Sequence, residues 1–73
     1  MKAYHIITTW LDEGIIKVNC RTEVLDDSDL SHIVRQVTTP NALTTHITLV
    51  GGQFHIIQYA DEVIHQTIVL IPQ

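Results

Sequence analysis

The sequence predicts a two-layer α+β domain in which the strands and one helix follow the order ββαβββ. Three observations predict it: a glycine pair between two alternating apolar runs, a second turn near Gly14, and one amphipathic helical pattern between these hairpins. The 73 residues form a single domain, 1–73, because a chain of this length has no room for a second core. We expect two antiparallel hairpins plus a fifth strand, with the helix packed on one sheet face.

The first hairpin is predicted to turn at residues 12–14. A three-residue loop that ends in a left-handed glycine, here Gly14, is a common hairpin connection. It sets Trp10 opposite Ile16 and collects one apolar face: Tyr4, Ile6, Trp10, Ile16, Val18, Cys20 and Val24. A two-residue loop would set Trp10 opposite Lys17 and mix charged with apolar side chains, so we prefer the longer loop.

One helix is predicted between the hairpins. Residues 26–29 offer capping oxygens and negative charge to its first turn, where backbone N–H groups are unpaired. An apolar stripe follows at i, i+3, i+4 and i+7: Leu30, Ile33, Val34 and Val37. Pro40 should end the helix, because it forces Thr39 toward extended geometry. Residues 41–43 are then a short connection.

The second hairpin is predicted with a two-residue loop at Gly51 and Gly52, because both central positions of such a loop need positive φ. This loop sets Leu49 opposite Phe54. The shared apolar face is then Ile47, Leu49, Phe54 and Ile56. A slip of one residue would scatter this set, which supports the register.

The last strand is predicted from Val63 to Ile71, a run rich in β-branched residues that ends at Pro72. A three-residue loop at 60–62 would place this strand beside the second hairpin. Three of its apolar residues would then join the face of Phe54: Ile64, Ile68 and Leu70.

Composition and charge exclude several functions. The net charge is −4 and the four basic residues, Lys2, Lys17, Arg21 and Arg35, are dispersed, whereas a nucleic-acid interface needs a basic patch. No apolar run is long enough to span a bilayer, and no basic-then-apolar leader opens the chain. Cys20 is the only cysteine, so no disulfide forms within the chain. We therefore expect a cytoplasmic protein that binds neither nucleic acid nor membrane.

Five histidines are unusual in so short a chain. In the predicted register His46, His55 and His65 share one face, and the first and last of them flank Ile57. Residues two strands apart lie roughly 10 Å from each other, too far for shared metal bonds of about 2 Å, so we expect no metal. These histidines are better read as ligand-binding or pH-sensing groups: protonation near pH 6 would charge an interface and weaken association.

No constellation for catalysis stands out. Ser28 and His32 are four residues apart, so their side chains could meet on the helix, but we expect Ser28 to cap the helix rather than to act as a nucleophile. The sequence holds no phosphate-binding glycine loop, nucleophile elbow or paired carboxylates. We expect neither an enzyme nor a cofactor.

Self-association is the favoured explanation of the remaining apolar surface. Five strands span roughly 24 Å, while one helix covers a strip only about 10 Å wide. Apolar residues also fall on the reverse face of the sheet, and four are expected at an interface: Ile7, Leu11, Ile57 and Val69. A sheet that curls into a partial barrel would be the alternative explanation.

The sequence therefore predicts a non-enzymatic, self-associating protein–protein interaction module, such as a small regulator or inhibitor of another protein. Either the reverse sheet face or an exposed edge strand would bind that protein partner. The alternative is a small-ligand or metal-binding protein whose site forms between subunits.

Overall fold

The computed structural model of the chain describes residues 1–38, 44–60 and 63–73. Its elements are β1 (Lys2–Asp12), β2 (Ile15–Leu25), α1 (Leu30–Val37), β3 (Thr44–Val50), β4 (Gln53–Ala60) and β5 (Val63–Pro72). Every neighbouring pair of strands is antiparallel, and the strand order across the sheet is β2-β1-β5-β4-β3. The predicted ββαβββ fold, with two hairpins and a fifth strand, is confirmed.

The strand order explains where the helix lies. β5 joins the two hairpins by pairing with β1 on one side and β4 on the other, which leaves β2 and β3 at opposite edges. The chain passes from β2 through α1 to β3, so α1 belongs to the connection between the two edges. At eight residues α1 is about 12 Å long, so it shelters only part of the sheet.

The core lies between α1 and one face of the sheet, which we name the helix face. Its buried side chains are Tyr4, Ile6, Leu25, Ile33, Ile56, Ile68 and Leu70, with Ile47, Phe54 and Val37 packed against them. The helix face consists of the even-numbered residues of β1, β4 and of β5 from Gln66 onward, and the odd-numbered residues of β2 and β3. The opposite face has no helix over it in the described ranges, and we name it the open face.

The second hairpin has the predicted register. Gly51 and Gly52 have φ of 57° and 78°, which is the left-handed backbone that a two-residue turn requires. Leu49 pairs with Phe54, and Ile47 pairs with Ile56. Both pairs contribute to the helix face, so burial and turn geometry specify the same register.

The first hairpin does not have the predicted three-residue loop. Asp12 pairs with Ile15, so the loop is the two residues Glu13 and Gly14, with φ of 50° and 79°. Trp10 lies opposite Lys17, the arrangement that the sequence argument rejected. Four residues expected on the helix face therefore lie on the open face: Ile16, Val18, Cys20 and Val24.

The error has a physical cause. β2 is an edge strand, and all of its residues are exposed or half-buried except Leu25 at its end. Hydrophobic burial specifies a register only where one face is covered. In β2 the two-residue turn, whose twist matches that of the flanking strands, decides the pairing instead.

Replacing Glu13 by asparagine is expected to raise the free energy of unfolding by about 1 kcal/mol, because asparagine tolerates the left-handed backbone that glutamate resists. Urea unfolding of the two proteins measures the difference. Glu13→Ala is the matched control, since it removes the charge and keeps the Cβ that causes the strain. Equal stability of the asparagine and alanine variants would contradict the two-residue turn.

The N-cap of α1 is Asp29, not Ser28 as predicted, and the helix begins at Leu30. The Asp29 carboxylate accepts the N–H of His32 at 2.9 Å. Ile33 is buried as predicted, whereas Leu30, at the start of the apolar stripe, is 47% exposed. The helix ends at Val37. Pro40, Thr39 and the connection at 41–43 lie outside the described residues.

The fifth strand agrees with the prediction in part. Ile68 and Leu70 are buried on the helix face, as expected. Ile64 is not: a register shift beside Gln58 and Tyr59 pairs it with Tyr59, and it is 51% exposed. Ala60 belongs to β4, while the other residues of the predicted loop, 61 and 62, lie outside the described residues. No helix in the described ranges is long and apolar enough to cross a membrane.

Candidate functional site: the open face of the sheet

The open face carries no charged side chain in the described strands, histidines apart. It consists of the odd-numbered residues of β1, β4 and of β5 from Thr67 onward, and the even-numbered residues of β2 and β3. The charged strand residues, Lys2, Asp12, Lys17, Arg21 and Glu23, all lie on the helix face. On a chain of net charge −4 this face is therefore an uncharged surface of apolar side chains, threonines and histidines.

Apolar side chains on the open face are largely exposed, most of all on β2. Ile16 is 71% exposed and Val18 59%, because β2 has a neighbour on one side alone. Leu11 at the end of β1 is 63% exposed. Side chains on the inner strands, such as Ile57 and Val69, are half-buried by their neighbours within the sheet.

All four residues that the sequence predicted at an interface lie on this face: Ile7, Leu11, Ile57 and Val69. Ile7 pairs directly with Val69, and they form a continuous row with Cys20 and His55 on their flanks. The structure adds Ile16, Val18 and Val24, which the wrong turn had assigned to the core. The signal that could have identified them was Gly14, which fits the second position of a two-residue turn as well as the last position of a three-residue loop.

The histidines of the predicted cluster occupy different surroundings. His46 lies opposite Ile57 and meets the edge of the Tyr59 ring, with ring centroids 5.4 Å apart. His55 lies between Thr48 and Val69 on the same face. His65 does not flank Ile57 as predicted, because Thr67 takes that position and His65 lies at the register shift. Among the described residues no group of histidines, cysteines and acids is arranged to hold a metal ion.

A fourth histidine, His5, joins the open face, and its Nδ1 is 2.8 Å from the hydroxyl of Thr22 on the neighbouring strand. Shallow grooves lie between the side chains here. One of about 380 Å³ runs past Leu11, Ile16 and Ile64 at one end of the sheet. The face is therefore an uneven apolar surface into which protruding side chains of another surface can fit.

Cys20 lies on the open face and is exposed, which corrects its predicted place in the core. The correction follows from the two-residue turn, which moves every residue of β2 to the opposite face from the one predicted. Cys20 pairs with Ile7 at the middle of β1. The thiol is therefore a natural chemical reporter of whether this face is covered.

Ser28 and His32 meet as their spacing predicted, with Ser28 Oγ 2.7 Å from His32 Nδ1. The carboxylate of Asp26 lies 3.4 Å from the same nitrogen. A catalytic triad uses the two ring nitrogens for different partners, the nucleophile on one and the acid on the other. Here Ser28 and Asp26 both contact Nδ1 of His32, and the cluster is exposed. The arrangement is therefore one of polar groups around the first turn of a helix rather than a catalytic triad.

Hydrogen bonds at this helix start stabilise two ionised carboxyl groups. The backbone N–H of Ser28 donates to Asp26 and holds the pKa of that carboxyl below its ordinary value. The Ser31 hydroxyl, together with the N–H of His32, does the same to the pKa of Asp29. Both effects are those expected of acids that cap a helix.

Comparison of the chain with protein-family models, with curated proteins and with solved structures finds no match.

Proposed function

We propose that this protein is a non-enzymatic interaction module that self-associates by packing the open face of one copy against the open face of another. The observation that carries the proposal is an uncharged, apolar sheet face on an acidic molecule. Isolated exposed apolar residues are ordinary on protein surfaces, but a contiguous patch of this kind is typical of an interface. A domain of this size is also marginal alone, because it buries only about 60% of its unfolded surface.

Charge favours a second copy of the chain as the occupant. Like charges on the meeting surfaces would add short-range repulsion between two molecules of net charge −4, and the described strands place no Asp, Glu, Lys or Arg on the open face. A partner with a charged surface would find no opposite charge to pair with there. A two-fold dimer needs a surface that complements itself, and threonines with apolar side chains can interdigitate in this way.

The area is sufficient for a stable dimer. The chain measures 35 by 22 by 21 Å, so the largest area that one face can present is roughly 770 Å². A standard interface buries about 800 Å² on each partner. Contact over nearly the whole open face would therefore approach the standard size and lie within the lower part of the range of specific interfaces, which begins at about 600 Å² per partner, with sheets packed about 10 Å apart.

A protein partner would then bind at a sheet edge, in the manner of a small regulator or inhibitor. β2 and β3 are both edge strands, and β2 presents eleven residues of one strand with a single neighbour. An extended segment of another protein can add to such an edge through backbone hydrogen bonds. We also propose a reducing compartment such as the cytoplasm, where the exposed thiol of Cys20 would stay reduced.

The test is the molecular mass in solution and its dependence on pH. Light scattering at pH 8 is expected to give twice the chain mass of 8.3 kDa. Acidification to pH 5.5 is expected to lower the dimer fraction, because imidazoles take up protons in this range and would charge both mating faces. The titratable groups on that face are His5, His46, His55, Tyr59 and Cys20.

The matched control replaces the three open-face histidines by glutamine, which keeps a polar side chain and cannot be protonated. This variant is expected to stay dimeric at both pH values. A monomer at pH 8 would contradict the proposal. A dimer whose pH response is the same in the variant would contradict the role of the histidines.

A further inference from the structure

We propose that a polar pocket on the helix face binds a small planar anion, with Arg21 pairing its negative group and the indole of Trp10 stacking on its ring. The pocket has a volume of about 330 Å³ and lies over β2, β1 and β5. It goes beyond the proposed dimer, because its floor is on the opposite side of the sheet from the open face. A dimer built on the open face would cover Leu11 at the pocket rim, while the other strand residues that the proposal uses, Trp10, Asn19, Arg21 and Gln66, lie on the helix face.

The two-residue turn assembles the pocket. With that turn, Asn19 pairs with Thr8, and Arg21 lies opposite Ile6 on the helix face. On its other side Trp10 pairs with Gln66 of β5. The three-residue turn would have turned Asn19 and Arg21 to the open face, so no polar pocket would exist beside Trp10.

Gln66, which lines the pocket, belongs to a buried polar row. Gln66 donates to the side-chain oxygen of Gln58, and Gln58 in turn donates to the Thr45 hydroxyl at 3.5 Å. Gln58 is 1% exposed and Gln66 9% exposed. Burying an amide group is costly unless it is hydrogen-bonded, and the hydrogen bonds within this row offset that cost. The amide of Gln66 is thereby held in a fixed orientation at the pocket wall.

Arg21 is the charged group of the pocket and is not fully engaged within the chain. Its Nε is buried and has no hydrogen-bond acceptor among the described residues, although the Glu23 carboxylate approaches it to 3.4 Å. A guanidinium group offers a planar fork of donors that matches a carboxylate or a phosphate. An anion in the pocket would supply the acceptors that the chain does not.

The remaining lining defines the chemical class of the ligand. No carboxylate is among the lining residues, and Arg21 is the cationic group of the pocket, although the Glu23 carboxylate 3.4 Å from its Nε offsets part of that charge. Trp10 is 36% exposed, which leaves part of its indole face available for stacking. Small-molecule pockets begin at about 300 Å³, so this one fits a ligand of one or two fused rings with a single anionic group.

The experiment uses the one tryptophan of the chain as its reporter. In a ¹H–¹⁵N spectrum the Trp10 indole N–H gives a single resonance, and its shift is followed during titration with naphthalene-2-carboxylate and with adenosine monophosphate. The neutral probes are naphthalene-2-carboxamide and adenosine. We expect saturable shifts, with a dissociation constant at least roughly 10-fold lower for an anion than for its neutral counterpart. Tighter binding of naphthalene-2-carboxylate would indicate a carboxylate site, and tighter binding of adenosine monophosphate would indicate a phosphate site.

Arg21→Gln is expected to weaken binding of the anion at least roughly 10-fold, while Arg35→Gln on the exposed helix serves as the matched control and leaves it unchanged. Light scattering of the same samples measures the dimer separately. A failure of the proposed ligand site can therefore be distinguished from a failure of the proposed dimer. Equal affinity for anion and neutral probe would overturn the proposal. So would unchanged binding by the Arg21 variant, or the absence of any saturable shift.

Discussion

Replacing Val18 by aspartate is expected to convert the proposed dimer into a monomer at micromolar concentration. Val18 lies on the open face and is 59% exposed, so its change should leave the fold of the single chain intact. In a two-fold dimer the substitution places one carboxylate from each copy into an apolar interface, where an unpaired charge is costly. We expect the dissociation constant to rise at least roughly 100-fold, equivalent to about 2.7 kcal/mol.

Sedimentation or light scattering over a range of protein concentrations measures this change. Leu49→Asp is the matched control, because Leu49 is 63% exposed on an edge strand but lies on the helix face. It should leave the dimer intact. The rate of Cys20 alkylation gives a second readout, since loss of the dimer uncovers the thiol. Equal behaviour of the two aspartate variants would contradict an interface on the open face.

Replacing Gln58 alone by leucine is expected to lower the free energy of unfolding by about 1–3 kcal/mol. The substitution removes the oxygen that accepts from Gln66, and it leaves that amide without its partner in a buried position. Replacing both glutamines by leucine is expected to restore most of the loss, because no unpaired amide remains. The energies of the two single changes should therefore be strongly non-additive.

Urea unfolding of the four proteins at one fixed concentration measures this cycle, since dimerisation makes the apparent stability depend on concentration. Gln73→Leu, at the exposed end of the chain, is the control for the change in side-chain type. A double variant as unstable as the less stable single variant would show that the glutamines do not act as a pair. Tight packing around the row would then be the source of the effect.

The second hairpin shows how far sequence reasoning can reach. Ile56 is buried and Ile47 and Phe54 pack against the core, so a register slip would break up this set on the helix face. The glycine pair specified the same alignment independently. Where burial and turn chemistry agree in this way, the local pattern is sufficient.

The first hairpin shows where that reasoning fails. The apolar alternation of β2 was assumed to face the helix, but β2 lies at the sheet edge and α1 does not cover it. The alternation of apolar and polar residues in β2 therefore does not indicate which of its two faces is buried. The open-face positions of Ile7, Leu11, Ile57 and Val69 could be predicted, whereas the open-face residues of β2 and the pocket around Arg21 could not.

By itself the sequence determined the elements and their order, the register of the glycine hairpin, and an excess of apolar surface over what one helix can cover. These are local properties, read from side-chain period, turn residues and caps within a few positions. Only the tertiary structure decided that β5 lies between the hairpins and that β2 therefore becomes an edge. Strand order depends on contacts between segments far apart in the chain. At the edge position that it gives β2, the two-residue turn places Ile16, Val18 and Val24 on the open face and Arg21 in the pocket beside Trp10.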